Sequence, residues 1–196
     1  MTNKEIKEKL KDCLKPDRYR HVLGVAIEAK RLAERYGADK DKAYTAGLLH
    51  DCAKGFSIDR QKELCTEISV PLDNAMLQCP AVIHGFLGAE LARERYGIAD
   101  TEIINAIKYH TVGRAGMSLL EKIVYIADMT EKNRSFDGVR ELRRAVDMNL
   151  DEALVLCIEQ QLNLQCVRRR TIHPNIIYMW NDLIANGDLT ENKERK

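Results

Sequence analysis

An imidazole and a carboxylate stand side by side at His50 and Asp51, inside the run Ala46-Gly47-Leu48-Leu49-His50-Asp51-Cys52-Ala53-Lys54. At the edge of a core such a pair is costly unless a charge meets it, and a divalent metal ion is a partner that both groups can ligate. The chain has five histidines, and four of them fall on or beside apolar helical faces. His50 shares its face with Ala43, Ala46 and Gly47, His84 with Leu87, Gly88 and Leu91, and His110 with Ile103 and Ile107. His21 borders the stripe formed by Val22, Val25, Ala26 and Ala29, and Asp128 closes the run Ile123-Val124-Tyr125-Ile126-Ala127. A lone histidine on an apolar face is usually a hydrogen-bonded core residue. His21, His50, His84, His110 and Asp128, from different helical stretches and with Asp51 joined to His50, together point to shared metal ligation.

Adjacent helical positions point about 100° apart, so His50 and Asp51 reach one centre only near a helix end; alternatively Asp51 bridges two metals. Six nitrogen and oxygen ligands are enough for two open sites. Without thiolates, iron, manganese, zinc or cobalt suit such a set, and copper(I) does not. Cys52 points elsewhere and reads as core. Near these ligands the sequence supplies cations suited to phosphate. Lys54 follows His50 by four residues, Arg18 precedes His21 by three, Arg114 lies in the glycine-containing loop after His110, and Asn133-Arg134 sits in a polar loop after Asp128. Each, taken singly, is more often a surface charge.

The elements that must position these groups are helical. Thr2 with Glu5 forms a capping box for a first short helix, and Pro16 opens a second that Gly37 stops. Asp39 caps the stretch carrying His50. The segment from Ser57 to Pro80 is less regular and reads as one short helix plus covering loops. Helical pattern returns from His84 to Tyr96, from Thr101 to His110, and from Leu119 to Met129 after the cap Ser118. A loop spans Glu131 to Asp137. A short helix from about Val139, a long one from Leu150 to Arg170 and a last one from Pro174 to Ala185 complete the pattern, with His173 in a loop or cap before Pro174. No strand alternation of useful length appears. The expected architecture is all-α, one helical domain over residues 1–185 followed by a charged tail, 186–196.

Composition narrows the function classes. At 196 residues the chain can bury its own core, and 31 basic against 30 acidic residues leave a net charge of +1. That balance offers no bulk attraction to a nucleic acid polymer or an anionic membrane. No apolar run approaches a bilayer span, and Met1-Thr2-Asn3-Lys4-Glu5 lacks the apolar core of a signal peptide. The six cysteines form no CxxC pair, so a zinc ribbon is not indicated. A reduced, cytoplasmic protein with free thiols is expected.

With these residues in view, the chain resembles the HD-domain metal-dependent phosphohydrolases, through His21, His50-Asp51, His84, His110 and Asp128 in that order. More narrowly it resembles the symmetrical diadenosine tetraphosphate hydrolases of the YqeK type. The strings that carry this are His50-Asp51-Cys52-Ala53-Lys54, His84-Gly85-Phe86-Leu87-Gly88-Ala89, Tyr109-His110-Thr111-Val112-Gly113-Arg114, and Ala127-Asp128 through Asn133-Arg134-Ser135-Phe136-Asp137-Gly138-Val139. The resemblance implies a helical bundle around two divalent ions, iron foremost, with manganese, cobalt or zinc as alternatives. His21, His50, Asp51 and Asp128 would serve one ion, and Asp51, His84 and His110 the other. Lys54, Arg134 and the backbone near His173 would hold nucleotide phosphates or base, with Arg18, Arg114 and Asn133 as further contacts.

Three departures stand out: Cys52 where the family often has tyrosine, Lys132 where it often has proline, and Thr171-Ile172-His173-Pro174, which only loosely matches the family's C-terminal nucleotide-contacting stretch. The implied reaction is symmetrical cleavage to two ADP, with Asp51, Lys54 and Arg134 in the catalytic machinery. Two other readings share the pocket: an HD-domain nucleotidase for another nucleotide or deoxynucleotide, and a non-catalytic nucleotide sensor. The expected partner is a small nucleotide, and apolar surface on the terminal helices could serve a homodimer.

Overall fold

The computed structural model describes residues 1–189, and over them the chain is helical with no strand. The tail expected at 186–196 falls mostly on residues 190–196, outside the described ones. Eleven α-helices follow one another: α1 (Asn3–Cys13), α2 (Pro16–Tyr36), α3 (Lys40–Leu49), α4 (Ile58–Glu67), α5 (Asn74–Gln78), α6 (Ile83–Tyr96), α7 (Thr101–Tyr109), α8 (Leu119–Thr130), α9 (Val139–Val146), α10 (Leu150–Val167) and α11 (Pro174–Asn186). Their starts are fixed by the caps that the sequence supplies. The Thr2/Glu5 and Ser118/Glu121 capping boxes both close, and Asp39 and Asp100 accept from the first-turn amides of α3 and α7.

Two sequence expectations are corrected. Ser57–Pro80 holds two helices, α4 and α5, rather than one, because Asp73 caps a second, five-residue helix too short to show apolar periodicity. The long helix stops at Val167, not Arg170: Arg169 takes the left-handed conformation, φ 50°, so Arg168-Arg169-Arg170 leaves the helix.

A single apolar core joins α1, α2, α3, α6, α7, α8 and α10. Helix α2 packs along α3 and α8; α3 also meets α7 and α8, and α6 meets α7. The approach of α2 to α3 is close because position 47 has no side chain. A Cβ on Gly47 would stand 2.7 Å from Cα of Ala26. Gly47 lies one turn before His50, and Ala26 lies on the helix that carries His21. This contact draws the two histidines towards one another.

Candidate metal centre

Helix α3 ends at Leu49, and the chain then tightens into a 3₁₀ turn, Cys52–Gly55, with the Lys54 amide donating to the Asp51 carbonyl at 2.9 Å. This change of winding lets consecutive residues face the same point. His50 is fully buried and Asp51 is 2% exposed. His84 arrives from the first turn of α6, His110 from the end of α7, His21 from the second turn of α2 and Asp128 from the last turn of α8. Cys52 turns into the core, where burial pushes its thiol up to about 12.

The Asp51 carboxylate stands at the middle. Its Oδ1 lies 3.1 Å from His84 Nε2 and 3.7 Å from His110 Nε2, and those two nitrogens are 3.1 Å apart. Its Oδ2 lies 3.5 Å from His50 Nε2 and 3.9 Å from His21 Nε2, while Asp128 Oδ1 is 2.9 Å from His21 Nε2 and 3.9 Å from His50 Nε2. Each oxygen of Asp51 therefore faces its own pair of imidazoles.

Hydrogen bonding fixes which ring nitrogen points inward. Nδ1 of His50, His84 and His110 lies 2.7 Å from the carbonyl oxygens of Gly47, Ala81 and Ile107 respectively. A carbonyl only accepts, so each Nδ1 carries a proton and each Nε2 is the ring nitrogen that faces the cluster. His21 Nδ1 is held by the Glu131 carboxylate at 3.3 Å.

Whether a metal fits can be judged from the donors themselves. The Nε2 atoms of His21 and His50 are buried and have no hydrogen-bond partner, the 2.9 Å approach of Asp128 to His21 lacking the required direction. Two donors about 2.1 Å from one ion stand about 3.0 Å apart at a right angle and about 3.4 Å at the tetrahedral angle. The separations of 2.9, 3.1 and 3.5 Å lie within about 0.1 Å of that range. Among the described residues, three overlapping sets have ligand atoms within 4.8 Å of one another: His21-His50-Asp51, His50-His110-Asp128 and Asp51-His84-His110. The cluster could hold a divalent metal.

Electrostatics agree. Burial acts to raise Asp51, but the imidazoles of His50, His110 and His84 outweigh it and hold the carboxyl well below its usual range. Burial likewise opposes ionisation of Asp128, and His21 and Arg134 more than offset it. Burial pushes His84 down to about 4, so it is neutral and available as a ligand. Burial would also lower His50, but Asp51 and Asp128 overcome it and hold this imidazole above its ordinary value. The site favours positive charge.

The expected phosphate contacts divide into groups. Arg18 Nη1 donates to Asp51 Oδ2 at 2.7 Å. Arg134 donates through Nε to the Asp128 carbonyl at 2.6 Å and through Nη2 to its carboxylate. Lys54 is half-buried; burial depresses its ammonium, and the nearby charges of Asp51 and Asp128 partly restore it. Asn133 is engaged with Glu131 through both its backbone amide and Nδ2. Arg114 gives Nε and Nη2 to the buried Glu121 at 2.8 and 2.7 Å; like Lys54 and His173, it borders neither cavity described below. His173 caps α11, accepting the Asn175 amide at Nδ1, and its ring lies 6.2 Å from that of Phe86.

Two residues escaped the sequence reading. Glu131 is 1% exposed and orients His21; its spacing of three from Asp128, one helical turn, was an available signal. Arg143 donates to the carbonyls of Thr130, Glu131 and Arg134 and pins the loop after α8. No local signal marks it, because those carbonyls converge only once the loop has closed.

Two cavities meet at Arg134. One of about 490 Å³ is polar and includes Arg18, Arg20, His21 and Asn133. The other, of about 640 Å³, opens at His110 and Asp128 and runs along α10.

Comparison with known proteins bears on the same residues. The HD domain family matches residues 18–133, a span that contains every residue of the cluster. The protein named symmetrical bis(5′-nucleosyl)-tetraphosphatase from Bacillus subtilis (strain 168) is 35% identical over 187 residues, 95% of this chain and 100% of that protein. A protein of the same name from Staphylococcus aureus (strain NCTC 8325 / PS 47) is 37% identical over 144 residues, 73% of each chain. A crystal structure from Clostridium acetobutylicum, described as a predicted HD superfamily hydrolase involved in NAD metabolism, superposes with a TM-score of 0.91 at 40% identity, covering 94% of this chain and 98% of that one.

Proposed function

The chain belongs to the HD domain family, and from that premise we propose that it is a metal-dependent hydrolase that cleaves diadenosine tetraphosphate symmetrically into two molecules of ADP. One observation carries the chemistry: a buried carboxylate, Asp51, presents one oxygen to His84 and His110 and the other to His50 and His21. The substrate follows from the likeness to the named tetraphosphatases, the first of which is matched along its whole length.

In this reading His21, His50, Asp51 and Asp128 hold one divalent ion, and Asp51, His84 and His110 hold a second, with iron the first candidate and manganese, cobalt or zinc the alternatives. Ions bound there would supply Lewis acidity towards a water molecule and the phosphoryl oxygens. The chain's own residues do the rest. Carbonyls of Gly47, Ala81 and Ile107 hold three imidazoles in the tautomer that ligates. Lys54, Arg18 and Arg134 bring positive charge to the edge of the cluster, where a polyphosphate chain would lie. Water adds to one inner phosphorus, the bond between that phosphorus and the bridging oxygen breaks, the oxygen departs with the other inner phosphorus, and loss of the water's proton leaves two molecules of ADP.

Arg114 takes a structural part in this scheme, and the His173 segment contributes backbone to the nucleotide. The six cysteines are free, and among the described residues no helix is long and apolar enough to cross a membrane, features that support a cytoplasmic location. The test is product analysis. Protein purified anaerobically, with its metal quantified, is incubated with diadenosine tetraphosphate, and ADP is resolved from AMP plus ATP. ADP as sole product supports the assignment; AMP plus ATP, or no turnover at full metal loading, removes it.

A further inference from the structure

Carbonyl oxygens in the last turn of a helix have no partner within the helix itself. At the end of α8 they are met from outside. Arg143, on α9, donates Nε to the Thr130 carbonyl at 2.9 Å and Nη2 to the carbonyls of Glu131 and Arg134 at 2.7 and 3.0 Å. Arg134 takes the Asp128 carbonyl at 2.6 Å. Two guanidinium groups therefore cap the helix that carries Asp128, at the end where its dipole favours positive charge. The Glu131 carbonyl accepts twice, from Arg143 and from the Arg134 amide at 3.0 Å, and this closes the turn.

Arg143 is anchored where it stands. Val139, Leu142 and Val146 bury one face of α9, which packs on α8 and α10. The arginine is half-buried and lines neither cavity at Arg134. The residues whose backbone it grips do reach the cluster. Glu131 sets its carboxylate 3.3 Å from His21 Nδ1, and Arg134 sets its guanidinium on the Asp128 carboxylate. His21 Nε2 and Asp128 Oδ1 in turn stand 2.9 Å apart. The partners of two neighbouring ligands are thus carried on one short loop, and that loop is gripped by one side chain.

Resting on the metal centre and the reaction proposed above, we infer that Arg143 is a positioning residue for both. Through three carbonyls it holds the Glu131 carboxylate against His21 and the Arg134 guanidinium at the Asp128 edge of the cluster. Ion binding and phosphate handling then depend together on a side chain that touches neither ion nor phosphate. The planar fork is what allows this, since separate nitrogens meet the carbonyls of Thr130 and Glu131 at once. A lysine ammonium keeps the charge but not that geometry.

The test is a pair of double-mutant cycles on the full chain. Arg143→Ala should weaken divalent-ion binding, read by chelator competition, roughly tenfold, the lower end of the cost of losing an orienting partner. At full metal loading it should lower kcat on diadenosine tetraphosphate by roughly 10²-fold, the scale of a small misplacement of a charged group. In Glu131→Ala protein the same substitution should change metal affinity by less than about twofold, because the group it acts through is gone. In Arg134→Ala protein it should likewise change kcat by less than about twofold. A merely structural residue would give effects that add, so additivity in either cycle overturns the positioning role. Metal affinity and kcat both within about twofold of wild type in Arg143→Ala overturn it too. Where Arg143→Ala does not fold, Arg143→Lys carries both cycles by the same criteria. If the wild-type protein cleaves no dinucleoside polyphosphate, the proposed reaction falls and the metal cycle alone decides the role of Arg143. Additivity in a protein that does form ADP removes that role and leaves the reaction standing.

Discussion

The carboxylate of Glu131 fills the space left on α2 by the missing side chain of Gly24. A Cβ at position 24 would collide with Oε2 and stand 3.0 Å from Cδ. Gly24 lies one turn after His21, so the same helix face that carries the imidazole also admits the carboxylate that orients it, at 3.3 Å. Gly24→Ala should displace Glu131 and free the His21 ring, and Glu131→Gln should weaken the same contact without new bulk. Both should lower affinity for the divalent ion by roughly 10- to 100-fold, the usual cost of losing an orienting partner. Chelator competition measures this, and wild-type affinity in both variants would remove Glu131 from the site.

Asp51 is the one residue that faces both pairs of imidazoles. Asp51→Asn should strip bound metal from the purified protein and abolish turnover, while helix content by circular dichroism stays near wild type. His50→Ala should abolish turnover as well. Full activity in a metal-quantified sample of either variant contradicts the assignment.

The pH dependence of metal uptake follows from His50 and His84. His84 is neutral down to about 4, so it does not hold a competing proton near neutrality. His50 is raised above 6.5 by Asp51 and Asp128 in spite of burial, so in metal-free protein it keeps a proton that the ion must displace. Apparent metal affinity should therefore rise with pH until the folded value of His50 is passed, with a proton released. The stability of metal-free protein has the opposite sign. The His50 contribution is fully present below 6.5 and is lost as pH rises through the raised folded value. Calorimetric titration in buffers of different ionisation enthalpy counts the protons, and none released in that window refutes the argument.

Lys54 and Arg134 carry charge at the edge of the cluster, where a phosphoryl group would stand. Lys54→Ala and Arg134→Ala should each lower kcat by roughly 10²- to 10³-fold, the scale of removing one stabilising donor, with metal content retained. Steady-state kinetics on metal-loaded variants decide the matter. An unchanged kcat/KM for Lys54→Ala would place that ammonium outside the reaction.

Arg114 should behave differently. Its guanidinium pairs with Glu121, whose side chain is fully buried and closes the Ser118 capping box. Arg114→Ala leaves that carboxylate without its counter-charge. Since the arginine is about one-third exposed, a cost of about 2 kcal/mol is expected, or roughly 4–8 °C in Tm. Activity per folded molecule should stay within about threefold of wild type on this reading, a difference of under 1 kcal/mol. Thermal unfolding alongside kinetics separates the two effects.

The sequence by itself determined which residues are candidates. Helical periodicity put His50, His84 and His110 on buried faces, and caps at Thr2, Asp39 and Ser118 set where helices begin. These are local properties, fixed by spacing and side-chain chemistry within a turn or two. Tertiary structure decided what is non-local. That Asp51 turns one oxygen to each pair of imidazoles depends on α3 ending at Leu49 and on α2, α6, α7 and α8 converging there. That Arg114 meets Glu121, while Arg18 meets Asp51, depends on which loop passes which helix. Glu131 became legible as a partner of His21 only when Gly24 was seen to make room for it, since 110 residues separate the two. A contact across that distance is set by packing of the whole core, which no short window of sequence contains.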